Sequence, residues 1–342
     1  MSKAGRITKI HPVAAIPGGE VAIECSDFGA DNFSECGAWF GETRARLVAA
    51  SPRRLLAIVP DAGPGGQVDV RIGCNGGAQS EAASLTAGEK LVEDIHMVAS
   101  PAVDPDDGAV YVTRSGSRGQ RAPVSLFRVD GAGVLHDVTG EIANPTGLAF
   151  DQEGQLFVSS RMDGGVYRLT HLQEPTPFAR NLGVATGIAF DREGRLYVGD
   201  RTGTIYRVNG VGEAREWASL ESSVAAYHLA FGPDDSLYVS GPTVSSFDTI
   251  LRFDQYGRRT PFFKGLGRPG GIAFDTEGYL YVAASYRGRR GIVRITPDGR
   301  EAELFVAGMN VIGLAFNAAG DMIVATNEAV FSLPLGIRGT LV

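Results

Sequence analysis

Hydrophobic and polar positions alternate along this chain in two different ways. Between residues 7 and 85 the pattern has a period of two: Val21 and Ile23, then Leu56 and Ile58, then Val68, Val70 and Ile72. Residues two apart share one face of a strand, so each of these segments predicts a strand with one side toward a core. Pro17-Gly18-Gly19, Ser51-Pro52, the run from Pro60 to Gly66 and Asn75-Gly76-Gly77 interrupt the pattern. That spacing of turn signals is the one expected of a small β-sandwich.

Further along, a continuous apolar run is followed by an Asp-x-x-Gly link and a second apolar run. Gly147-Leu148-Ala149-Phe150-Asp151 leads to Leu156-Phe157-Val158, and the phrase begins again at Gly187, His228, Gly271 and Gly313. A degenerate copy runs from Ser100 to Val112. Starts 40 to 43 residues apart suit four short strands with their turns. The first run reads as a strand buried on both faces, and the link as a hairpin loop whose Gly takes the left-handed conformation. A third strand follows, such as Val166 to Leu169 or Ile205 to Val208, and then a weaker outer one. One such unit cannot bury both of its faces, so six must stack in a ring. The expected organisation is a sandwich over residues 5–87 and a six-bladed β-propeller over residues 91–342. Ring closure is expected from a strand within residues 91–98, with the tail 338–342 as the alternative.

The first region carries Ile7-x-x-Ile10-x-Pro12, Gly18-Gly19-x-Val21-x-Ile23 followed by Phe28, then Phe40-Gly41, Val59-Pro60, the Val68 to Ile72 strand and Ser80. In this it resembles the IPT/TIG family, which implies an immunoglobulin-like sandwich and no activity. The repeats resemble the NHL and SMP-30/gluconolactonase-like six-bladed propellers. The fold class expected is therefore all-β, an immunoglobulin-like β-sandwich plus a six-bladed β-propeller.

Composition adds limits. Hydrophobic residues make up 44% and charged residues 21%, which is the make-up of a folded protein. A net charge of −7 argues against the basic field that binds DNA or anionic membrane, and RNA is not expected either. With no long apolar run and no secretory pattern, the reading is a soluble, cytoplasmic protein. Cys25, Cys36 and Cys74 are accordingly read as reduced thiols, and a Cys25–Cys74 bridge is the alternative in an exported protein.

No nucleophile elbow, HExxH or P-loop occurs, so no catalytic residue is assigned. His11, His96, His136 and His171 lack partner motifs and read as structural. Chemistry is sought where the repeats disagree. The fourth copy has Tyr227-His228 where others have Gly, which either fills the axis or presents a ligand-contacting, proton-transferring imidazole. Arg114, Arg161, Arg201 and Arg287 recur just beyond the second strand, with Asp200 and Tyr286 beside them and Arg268 ahead of the fifth copy. Either each Arg pairs with a neighbouring carboxylate such as Asp200 or Asp163, or together they rim a funnel for an anionic small molecule or an acidic protein segment.

The SMP-30 resemblance implies a divalent cation such as calcium or zinc, held partly by Asn and Asp directly before the inner-strand Gly. The aligned residues here are Ala99, Thr146, Thr186, Tyr227, Gly270 and Ile312, with Asn144 and Asn310 out of register. Such a set gives a hard cation poor ligands, so no metal or cofactor is expected. The function expected is a non-catalytic binding scaffold with the channel mouth as its surface and the first domain as a docking arm. A lactonase of the SMP-30-like class is the alternative.

Overall fold

The computed structural model describes residues 5–28, 36–61, 63, 65–74, 78–114, 125–138, 140–170, 173–245 and 248–340, and those residues form an all-β chain. The N-terminal unit has nine strands: β1 (Arg6–His11), β2 (Ala14–Ala15), β3 (Glu20–Ser26), β4 (Cys36–Phe40), β5 (Thr43–Arg44), β6 (Arg46–Ser51), β7 (Arg54–Ile58), β8 (Gly66–Cys74) and β9 (Ala83–Ala87). One sheet has the order β1-β3-β7-β6, and a second runs β2-β9-β8-β4-β5. Val21, Ile23, Leu55 and Ala57 of the first are sealed in one core with Phe40, Val70, Ile72 and Leu85 of the second. Each such aliphatic or aromatic side chain contributes roughly 1.5–3 kcal/mol by leaving water.

The expectation of three reduced thiols is corrected here. Cys36 and Cys74 are direct partners on the antiparallel pair β4 and β8, and they form a disulfide. The alternative Cys25–Cys74 bridge is excluded because Cys25 lies in β3 of the other sheet. Cys25 is buried and free, and burial pushes its thiol up to about 11.

Six further groups of four strands follow, five of them separate sheets and the fifth group part of a larger one, and their innermost strands are Ala102–Val103, Pro145–Phe150, Ala185–Phe190, His228–Phe231, Ile272–Phe274 and Val311–Phe316. Each inner strand lies against the next, and the sixth lies against the first, so the sheets close a ring of blades. The repeated phrase explains the contact between blades. In five blades the aromatic of the second strand meets the inner-strand Phe of the following blade edge to face. The pairs are Tyr111–Phe150, Phe157–Phe190, Tyr197–Phe231, Tyr238–Phe274 and Tyr281–Phe316, with centroids 4.7–5.7 Å apart. Such pairs contribute about 0.5–1.5 kcal/mol each beyond the area they bury. Hydroxyls tie the same seams: Thr146 Oγ1 donates to the Ala185 carbonyl at 3.0 Å and Ser240 Oγ to that of Gly270 at 2.5 Å.

Closure falls to a strand slightly earlier than the window 91–98. β10 (Glu89–Val92) pairs with Val330–Pro334 as the outer strand of the sixth blade. The amides of Ile95 and Met97 continue this seam by donating to Glu328 and Asn327. The tail instead crosses to the fifth blade, where the Thr340 amide donates to the Phe274 carbonyl and Gly339 bridges Asp275.

The link between the two units is a single residue, Gly88, between β9 and β10. Two-residue β2 runs parallel to both β9 and Ala302–Ala307, the outer strand of the fifth blade. One nine-stranded sheet therefore spans both units. A Cβ on Gly19 would lie 2.7 Å from the Ala307 carbonyl carbon, so only glycine permits this approach. Arg289 staples the seam by donating from Nη2 to the carbonyls of His11 at 3.2 Å and Glu20 at 2.8 Å. Its loss leaves two carbonyls unpaired in a half-buried seam, so Arg289→Ala is expected to cost about 2 kcal/mol in chemical denaturation. Arg289→Lys should recover only part of that, because an ammonium cannot reproduce the guanidinium's flat fork.

Candidate functional site

The six inner strands converge on the axis, and their period of two sets out three levels facing it. Nearest the end where the chain enters these strands stand Ser100, Gly147, Gly187, His228, Gly271 and Gly313. Two residues on come Ala102, Ala149, Ala189, Ala230, Ala273 and Ala315. The third level holds the Asp-x-x-Gly loops, where Asp151, Asp191 and Asp275 spend one carboxylate oxygen on backbone amides of their own turns. Between the strands lies a cavity of about 230 Å³, lined by the six alanines, by Ser100, Gly147, Gly187 and His228 of the first level, by the inner-strand phenylalanines and, toward the Asp loops, by Pro105, Gly339 and Thr340.

Glycine at the first level lets neighbouring blades touch. A Cβ on Gly187 would stand 2.9 Å from His228 Cα and closer still to the Tyr227 carbonyl. Gly187→Ala is therefore expected to force backbone movement beside His228 and to cost about 2–3 kcal/mol, a change visible as a lowered unfolding midpoint.

His228 and Tyr227 are the ionisable residues of the cavity lining. The His228 ring is hemmed in by protein, yet it keeps some surface toward the cavity, and no hydrogen bond to it is found among the described residues. Burial alone drives its pKa from 6.5 down to about 4, so the imidazole is neutral at physiological pH. It then offers one N–H donor and one bare nitrogen acceptor.

Tyr227 does not share that role. Its ring lies across Gly199 and Gly241, its hydroxyl donates to the Glu221 carbonyl, and burial raises its pKa to about 12. It is a wedge between the third and fourth blades. Of the other histidines, His136 is exposed and bonded to Asp130 at 2.8 Å, His96 is exposed, and His11 is half-buried in β1. His171 lies outside the described residues.

None of the five arginines lines the cavity. Arg201, Arg268 and Arg287 are exposed and Arg114 and Arg161 half-buried, all on the loops around the end where the chain enters the inner strands. Asp200 is 3% exposed, and its carboxylate accepts from the amides of Val184 at 2.8 Å and Thr202 at 3.0 Å. Asp163 is held likewise by the Gly165 amide and the Tyr167 hydroxyl. Both carboxylates are therefore turn-formers and neither forms the ion pair with its neighbouring Arg. Tyr286 packs edge to face on Phe263 and under the Arg287 guanidinium, 5.0 Å from its ring centroid.

The alanine level and the tail's Thr340 were not foreseen as site residues. The first was readable, because Ala recurs at one place in the repeated phrase; the tail was not, since nothing in its pattern says where it crosses. At the register of the SMP-30 cation ligands stand Ala99, Thr146, Thr186, Tyr227, Gly270 and Ile312. Among the described residues no three His, Cys, Asp or Glu side chains converge.

Residues 187–208, an inner strand and the two that follow it, match the family described as strictosidine synthase-like, N-terminal. No curated protein matches in sequence. An auxiliary nutrient binding protein from Bacteroides thetaiotaomicron is similar over 96% of this chain and 97% of its own, at 14% identity and a TM-score of 0.56. A gluconolactonase from Xanthomonas campestris is similar over 72% of this chain and 89% of its own, at 17% identity and a TM-score of 0.56. The fold is that of a β-propeller. A catalytically inactive histidine-to-alanine variant of virginiamycin B lyase from Staphylococcus aureus, solved with quinupristin, shares it at 16% identity, 72% and 87% coverage and a TM-score of 0.51.

Proposed function

We propose that this protein is a non-catalytic binding scaffold that takes a small, uncharged, largely apolar ligand in the axial cavity of a six-bladed propeller, with His228 as its polar anchor. The observation that carries this reading is the lining itself. It has a level of six alanines, no Asp, Glu, Lys or Arg, and one neutral imidazole with nitrogens left over for a guest. The similarity to nutrient-binding proteins over nearly the whole length of both chains supports it. The sheet orders β1-β3-β7-β6 and β9-β8-β4-β5 support an immunoglobulin-like, IPT/TIG-type sandwich as the N-terminal unit. Its continuity with the fifth blade suits a rigid docking arm.

No helix of the described residues is long and apolar enough to cross a membrane. The Cys36–Cys74 bridge favours an oxidising compartment over the cytoplasm that the sequence suggested.

The test is a thermal-shift screen of neutral sugars, lactones and small apolar alcohols on the wild type and on His228→Ala. A ligand that raises the unfolding temperature of the wild type alone supports the reading. A ligand that binds both equally well places the site elsewhere.

The alternative is a lactonase or lyase acting in the same cavity. It is favoured by the gluconolactonase similarity and by the lyase whose histidine variant is inactive. A base whose pKa is near 4 is poorly matched to proton abstraction at neutral pH, which weighs against it. Lactone hydrolysis that is faster than background and abolished in His228→Ala would decide for the enzyme.

A further inference from the structure

The arginines of this protein are distributed unequally in their pairing. At the end of the ring that carries the Asp-x-x-Gly loops, Arg192, Arg195, Arg252, Arg258 and Arg294 each make an ion pair at 2.5–2.9 Å, while Arg168, Arg207 and Arg338 there make none among the described residues. At the opposite end, Arg114, Arg201, Arg268 and Arg287 have no ionic partner among the described residues. The exposed acids Asp94, Glu141, Glu221 and Glu328 share this face and form no ion pair with these four.

Exposed apolar side chains lie on the same face, as Val134, Val211 and Tyr256 do on the turns of the other end. Met162, Val224, Val244 and Met309 are 44–89% exposed, and each sits on a loop around this mouth. The Val224 amide donates to the Pro242 carbonyl, which brings the loops bearing Val224 and Val244 together. Met162 and Met309 belong to the loops of other blades, so in chain order around the rim the apolar groups are interspersed with Arg201, Arg268 and Arg287.

We infer that this face is a docking surface for a partner protein's segment in which carboxylates alternate with apolar side chains. Unpaired guanidiniums accept carboxylates in bidentate fashion, and the apolar side chains between them take the interleaved residues. A bare anion would leave the apolar positions unused, and a nucleic acid would find on this face one aromatic, Tyr286, already covered by the Arg287 guanidinium. This surface is separate from the axial cavity and does not depend on its occupant.

Two of the arginines have positive φ, 48° at Arg268 and 49° at Arg287. Asn144 and Asn310 occupy the register of Arg268 in two other blades, with φ of 48° and 55°. Asparagine is at ease in that conformation, so Arg268→Asn and Arg287→Asn remove charge without disturbing the turns. Combined with Arg201→Gln they give a variant that should fold as the wild type does.

The experiment titrates the full chain into a fluorescein-labelled peptide of alternating Glu and Leu, and separately into a labelled uridine oligonucleotide, while following anisotropy. The Glu-Leu peptide is expected to bind, and the triple variant to bind about tenfold more weakly with a shallower salt dependence. Met162→Ser with Val244→Ser should weaken binding at an unchanged salt dependence, and His228→Ala should leave it untouched. The inference is overturned by absence of peptide binding, by equal binding to the triple variant, or by an oligonucleotide that binds as tightly as the peptide.

Discussion

Between pH 6.5 and pH 4 the native protein is expected to lose about 3 kcal/mol of stability through His228 alone. Burial holds the folded-state pKa near 4, while the unfolded chain has the ordinary value of 6.5. In that window the unfolded state binds a proton that the folded state refuses, so acidification favours unfolding. The contribution is fully present above pH 6.5 and is gone once the pH falls through 4. A shift of this size corresponds to about 3 kcal/mol. Carboxylates titrate at the low end of the same window, so the informative quantity is the difference between wild type and His228→Asn in urea denaturation at each pH. Parallel curves would show that the imidazole is hydrated in the cavity and not desolvated.

The second large effect belongs to the Cys36–Cys74 bridge. It closes a segment with a sequence separation of 38, and constraining such a loop in the unfolded chain contributes about 3–4 kcal/mol. Reduction, or Cys36→Ser with Cys74→Ser, should lower the free energy of unfolding by that amount. Thiol counting gives the same answer chemically. The native protein should show no fast-reacting thiol, because Cys25 is buried. The denatured, unreduced protein should show one and the denatured, reduced protein three. Three thiols before reduction would mean that the bridge does not form.

The repeats were readable because each element of the phrase has a job between blades. The Phe before Asp and the aromatic in the second apolar run are the two halves of each edge-to-face contact, so the period and the packing are the same fact. His228 stood out for a related reason, since a ring-forming repeat leaves room for one large side chain at a level otherwise held by glycine and serine.

What the chain concealed depends on contacts between distant segments. Ala14-Ala15 has no pattern of its own, yet it joins two units. Cys36 and Cys74 find each other only through the register of β4 and β8. Tyr227 adjoins His228 and looked equivalent, but successive residues of a strand point to opposite sides. One faces the axis and the other is driven between blades.

The closure strand begins one residue after the last strand of the N-terminal unit, and β2 of that unit is zipped to the fifth blade. The N-terminal unit thus holds both sides of the place where the ring could spring open, as a buckle holds a belt. A fragment starting at residue 93 would lack the clasp as well as the appendage, and it should open at the sixth blade. The intact chain should melt in one calorimetric transition, its two apparent domains behaving as a single object.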